Sequence, residues 1–143
     1  MRFLCLCYHE EEKLASLTQG EMDSLVGACM GWAEDLEKGG HHILTAGLQS
    51  VRSAATVRVR NGKLSTTDGP FAETKELVAG FWLWQVESKE EAIEWLKRAP
   101  FDGGTEVEIR QVGEWSDFPA DVQKAADNPT VRKHLEQSRG RGS

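Results

Sequence analysis

Two stretches of this chain are apolar on both sides of an extended backbone, and they constrain the fold more than any other feature. Phe3, Cys5 and Cys7 alternate with Leu4, Leu6 and Tyr8, and Phe81, Leu83 and the polar Gln85 alternate with Trp82, Trp84 and Val86. Successive side chains of a strand point to opposite faces, so each stretch predicts a central strand with neighbours on both edges and cover on both faces. The remaining elements have to be arranged around these two.

Helical spacing supplies cover for one face. Met22, Leu25, Val26, Cys29, Ala33 and Leu36 recur at three and four residues and predict an amphipathic helix over 18–38, opened by the capping pair Thr18 and Glu21 and stopped at Gly39-Gly40. Gly27 and Gly31, one turn apart, are expected to let this helix pack closely on the sheet. A second helix is predicted over 89–99 from Ser88, Glu91, Ala92, Ile93, Trp95, Leu96 and Ala99, with Pro100 just beyond.

The other strands are shorter. Ile43, Leu44, Ala46 and Leu48 suggest one. Thr56–Arg60 and Lys63–Thr67 flank Asn61-Gly62, a two-residue hairpin turn, and predict an edge hairpin at 55–67. Thr105–Val112 alternates again and closes the sheet. Asp117-Phe118-Pro119 and Asn128-Pro129 predict short helices over 119–126 and 129–137.

The order β-α-β, hairpin, β-α-β is a split βαβ pattern and predicts an α+β, ferredoxin-like sandwich, a fold that places its first and third main strands in the middle. Those are the two doubly apolar stretches. The chain is accordingly divided into a domain over 1–115, a C-terminal helical extension over 116–137 and a disordered tail over 138–143. Two helices cover only one sheet face; a second copy in a homodimer or the C-terminal extension is expected to cover the other.

The formal charge of −6 argues against a phosphate-binding surface, so no nucleic-acid partner is expected. No apolar run spans a bilayer and Met1–Tyr8 is too short for a signal peptide, which makes the cytoplasm the expected compartment and excludes a membrane partner. Cys5, Cys7 and Cys29 lack metal-ligand spacing and read as unpaired core thiols. No phosphate-cradling glycine loop, nucleophile elbow or metal cluster occurs, so no cofactor and no metal are expected.

The stretch Thr56–Lys63, followed by Thr67-Asp68-Gly69-Pro70-Phe71-Ala72-Glu73-Thr74-Lys75-Glu76 and Gly80-Phe81, closely resembles the DGPF signature of YCII-related proteins; a looser likeness runs from Arg2 to Val112. The resemblance implies a dimeric α+β barrel related to the ferredoxin fold, with a pocket beside the sheet and no universal reaction. Some YCII-like members are linked to dehydrochlorination of a ring-cleavage intermediate, and a His–Asp pair is proposed as the family's catalytic centre. The helix Thr18–Lys38 has no histidine where that His is expected, so the pair is not carried over whole.

Asp68, held at a strand end by Gly69-Pro70, is a candidate general base or anchor and equally a turn-former. It is expected to face a cavity within reach of another polar side chain. His9, at the end of a central strand, is the candidate imidazole partner, whereas His41 and His42 follow a helix C-terminus and suit capping. Arg52, Ser53, Phe71 and Lys75 are candidate ligand-binding residues, and Trp82 or Trp84 can line an apolar pocket. Two functions stay open: a small-molecule enzyme working by acid/base or elimination chemistry near the DGPF loop, or a non-catalytic ligand-binding or regulatory dimer.

Overall fold

The computed structural model describes residues 1–70, 77–101, 104–125 and 127–139. The elements run β1 (Arg2–His9), α1 (Glu11–Ala15), α2 (Gln19–Lys38), β2 (His42–Gly47), β3 (Ala55–Arg60), β4 (Lys63–Asp68), β5 (Leu77–Gln85), α3 (Lys89–Leu96), β6 (Glu106–Gln111), α4 (Ala120–Ala125) and α5 (Pro129–Arg139), with single 3-10 turns at Val51–Ser53 and Trp115–Asp117. The main sheet has the order β2-β5-β1-β6, and every neighbouring pair in it is antiparallel. The two doubly apolar strands are therefore the central pair, as a ferredoxin-like α+β fold requires.

Strand register shows what each face holds. Phe3 lies opposite Trp84, and Cys5 opposite Trp82 and Ile109; this face meets the helices. Phe3, Cys5, Trp84 and Val86 form the core with Trp32 and Leu36 of α2 and Ala92 of α3. Trp32 stands edge-on to Trp82, Trp84 and Phe101, at ring-centre separations of 5.5, 5.6 and 5.8 Å, and donates its indole N–H to the Trp95 carbonyl at 3.1 Å. Such pairs are worth about 0.5–1.5 kcal/mol each beyond the area they bury.

The opposite face carries Leu4, Leu6 and Tyr8 of β1, Phe81 and Leu83 of β5, Leu44 and Ala46 of β2, and Glu106, Glu108 and Arg110 of β6. Among the described residues, the C-terminal helices bury no apolar side chain on it. Every described side chain of α5 is exposed, and Val122 and Val131 are 40% and 52% exposed. Helix α5 also continues through Arg139, into the segment expected to be disordered; residues 140–143 lie outside the described residues.

Helix α2 starts where its capping box places it, with Thr18 accepting from the Glu21 N–H and the Glu21 carboxylate accepting from the Thr18 N–H. Its buried stripe differs from the expected one. Trp32 joins Leu36 in the core, while Val26 is 49% exposed; Gly27 and Gly31 are exposed, with nothing within 4 Å of where a Cβ would stand. They do not mediate close packing on the sheet. Before α3, Ser88 accepts from the Glu91 N–H, but the Glu91 carboxylate turns to the N–H of Glu87, so only half of the expected box forms.

The hairpin is also corrected in one respect. Asn61 and Gly62 turn it with positive φ, as a two-residue hairpin requires, but β3 and β4 form a separate two-stranded sheet rather than an edge of the main one. Partners across the ribbon are Ala55 with Asp68, Val57 with Thr66, and Val59 with Leu64, so these six side chains share a face. It is the outward one: Val57, Val59 and Leu64 are 58%, 68% and 70% exposed.

One close approach shapes the sheet near the end of β1. A Cβ on Gly80 would come within 2.9 Å of the Ala46 carbonyl oxygen on β2, a backbone atom that cannot swing aside. Gly80→Ala is expected to cost about 1–3 kcal/mol by overpacking, measured by urea denaturation. A change below half of that range would show that β2 yields freely at this point.

Candidate functional site

The end of β1 opens into a cavity of about 250 Å³ between the sheet and helices α1 and α2. Cys7 and His9 of β1 line it, with Thr45 and Gly47 of β2 and Gly80 and Trp82 of β5. Leu14 and Leu17 come from α1 and the residues after it, Leu25 and Cys29 from α2, and Phe101, Gly104 and Thr105 from the loop before β6. Among the described residues that line it, Glu10 and Lys13 are the only acidic and basic side chains apart from His9.

The interior is made of protonated or neutral groups. Burial pushes the Cys5 thiol up to about 12, and burial raises Cys7 and Cys29 as well, with Cys29 adding a smaller rise at Cys7. All three cysteines are free. Since the thiolate is the reactive form, Cys7 and Cys29 pack the cavity wall and Cys5 the core behind it rather than act as nucleophiles.

The mouth is polar. His9 ends β1 opposite Leu77 and makes no hydrogen bond or ion pair with any described residue. Glu11 ties α1 to the 3-10 turn, accepting from the Val51 N–H and the Ser50 hydroxyl, both at 2.9 Å. Those two bonds hold its carboxyl below the usual range, with smaller contributions from the positive charges of Arg52 and His9. Lys13 faces Glu10 at 3.7 Å, too far for a hydrogen bond; its ammonium lies 3.0 Å from where a Cβ of Gly104 would stand.

Residues 1–116 match the family described as the YCII-related domain. This chain belongs to the YCII-related family. An uncharacterized protein of Rhizobium meliloti (strain 1021) is 30% identical to it over 97 residues, which is 68% of this chain and 78% of that protein. Among the described residues, no helix is long and apolar enough to cross a membrane.

Of the candidate residues, the structure brings His9 to the cavity and leaves Asp68 elsewhere. Asp68 ends β4 on the outward face of the ribbon; it is exposed, is absent from the cavity lining, and makes no hydrogen bond or ion pair with any described residue. The turn after it is secured by backbone instead, with the Gly69 N–H on the Ala54 carbonyl at 2.7 Å and the Thr56 hydroxyl on the Gly69 carbonyl at 2.7 Å. Asp68 and His9 are thus not joined around one cavity of this subunit.

Arg52 and Ser53 sit in the 3-10 turn docked on Glu11, outside the cavity lining, and the Ser53 hydroxyl is spent on the Ser50 carbonyl at 2.8 Å. Phe71 and Lys75 lie outside the described residues. His41 and His42 remain near the α2 C-terminus, His42 meeting Glu37 at 2.9 Å and His41 packing at a tilt against Trp95 at 5.1 Å between ring centres.

Sequence reading missed Glu10, Lys13, Leu14 and Leu17, because the five-residue helix α1 was not expected. Its signal is Glu11-Glu12 in a first turn, where negative charge complements the helix dipole, with Leu14 and Leu17 three residues apart behind it. A helix this short gains little from propensity; Glu11 ties it to the turn at Val51–Ser53.

Proposed function

We propose that this protein is a homodimer that takes a small organic molecule into the cavity at the end of β1, with His9 as its proton-transfer group. The observation that carries the reading is His9 itself. Its imidazole lines an otherwise largely apolar cavity of about 250 Å³ and makes no hydrogen bond with a described residue, which favours its use by a ligand. Histidine titrates near neutral pH, which suits acid/base or elimination chemistry.

The homodimer is supported by two uncovered apolar surfaces. The sheet face opposite the helices carries Leu4, Leu6, Leu44, Phe81 and Leu83, with Leu44 and, beyond β2, Leu48 half exposed. The ribbon adds Val57, Val59 and Leu64; a two-stranded hairpin is marginal without packing against something else. Soluble monomers rarely leave such surfaces open, and closed two-fold pairs are the commonest remedy. Asp68 shares the ribbon face, so in this reading it belongs to the subunit contact.

A metabolite-fragment soak into crystals tests the ligand reading, with ligand density against His9 and Trp82 as the expected result. Fragments found only elsewhere would overturn it. Catalysis is then separated from binding by His9→Gln: abolished turnover with retained binding supports the enzyme, whereas saturable binding with no turnover in the unsubstituted protein supports a non-catalytic ligand-binding or regulatory module, with the cytoplasm as its setting in either case.

A further inference from the structure

We infer that the cavity selects a small organic acid, a single-ring-sized apolar body bearing one carboxylate, and that Lys13 is the residue that holds the carboxylate. The inference rests on the proposal that the cavity is a ligand site and names the chemistry of its ligand.

Size sets the body. An apolar cavity of about 150 Å³ is enough to take up benzene, so 250 Å³ admits one ring with a short substituent and little more. The walls set its polarity: Leu14, Leu17, Leu25, Phe101 and Trp82 surround it, and the Cys7 and Cys29 thiols are kept protonated by burial. A charge placed in this interior has no partner and loses its water, which is strongly unfavourable. The ligand's charge therefore belongs at the mouth.

The mouth has more unspent donors than acceptors. Glu11 has one oxygen on the Val51 N–H and the other on the Ser50 hydroxyl. Glu10 is the one carboxylate among the described residues that line the cavity. Against it stand the ammonium of Lys13, with no hydrogen bond among the described residues, and the imidazole of His9. The Lys13–Glu10 separation of 3.7 Å, on side chains 59% and 35% exposed, is a weak solvated pairing that a ligand carboxylate can displace. The Lys13 ammonium also lies beside Gly104, another lining residue, so it stands at the cavity rather than away from it.

The test compares three ligands with one body and different heads: phenylacetate, 2-phenylethanol and 2-phenylethylamine. Affinities are measured by titration calorimetry on the full chain, and binding is located by NMR shifts of the Gly80 amide and Trp82 indole. Phenylacetate is expected to bind at least tenfold tighter than the alcohol, as a charge-assisted hydrogen bond allows. Lys13→Met, an exposed change that leaves the fold intact, is expected to bring phenylacetate down to the alcohol's affinity without altering the alcohol's own.

Each other outcome has a distinct meaning. If acid and alcohol bind equally, or the amine binds tightest through Glu10, the organic-acid inference is overturned and the cavity reading stands. If phenylacetate is preferred but Lys13→Met does not change it, Lys13 is not the anchor. If none of the three shifts Gly80 or Trp82, the inference falls together with the ligand-site proposal on which it rests.

Discussion

Truncating Trp32 to alanine is expected to cost about 3–5 kcal/mol, a large share of the roughly 5–15 kcal/mol that holds a domain together. Trp32 is 6% exposed and touches three aromatic rings edge-on, so its loss leaves a void bounded by α2, β5 and Phe101 that rigid neighbours fill only in part. The Trp95 carbonyl also loses the indole donor at 3.1 Å. Trp32→Phe separates the two effects, since it keeps most of the ring packing and gives up only the hydrogen bond, worth about 1 kcal/mol. Urea denaturation at fixed pH measures both. A Trp32→Ala protein within about 1 kcal/mol of the parent would mean that α2 is not clamped to the sheet through this side chain.

The same residue shows where sequence reading stops. The apolar spacing 22, 25, 26, 29, 33, 36 predicts α2 correctly, yet it admits Val26 to the buried stripe and leaves out Trp32. A stripe at 3.6-residue spacing fixes that a face exists but leaves its rotation open by about one residue in either direction. Only the sheet decides, through the space left by Phe3, Trp82 and Trp84. Strand patterns carry no such ambiguity, because a shift by one residue would move a whole set of side chains to the other face. For that reason β1 and β5 were legible, and with them their central place in the order β2-β5-β1-β6.

The cavity was legible only at one corner. His9 is visible as a polar residue closing an apolar strand, but the rest of the site depends on three events of tertiary packing. Gly80 lets β2 approach to 2.9 Å of a missing Cβ, α1 folds as five residues against the sheet end, and Glu11 docks the Val51–Ser53 turn beside it. None of these has a periodic signal. Asp68 illustrates the converse: a distinctive loop motif drew attention to a carboxylate that the hairpin carries on its outward face, opposite Ala55 and in line with Val57 and Val59.

That outward face yields the second large effect, in the subunit contact. The full chain is expected to run as a dimer in light scattering, and Leu83→Glu and Leu64→Glu are each expected to weaken it by a hundredfold or more. The reasoning is the same for both positions, since a carboxylate enclosed between two apolar surfaces without a partner costs about 3 kcal/mol or more. Leu83 lies mid-sheet between Leu4 and Leu44, and Leu64 lies on the ribbon beside Val59. Leu64 is the cleaner probe: it is 70% exposed in the single chain, so glutamate there leaves the stability of an isolated subunit within about 0.5 kcal/mol. A loss of dimer at Leu64→Glu is then a loss of contact and not of fold. Should Leu83→Glu dissociate the dimer while Leu64→Glu leaves it intact, the sheet face alone makes the contact and the ribbon projects past it. A monodisperse monomer of the unsubstituted chain would refute the homodimer, and would leave the apolar faces of the sheet and the ribbon open to water in a chain whose C-terminal helices keep Val122 and Val131 exposed.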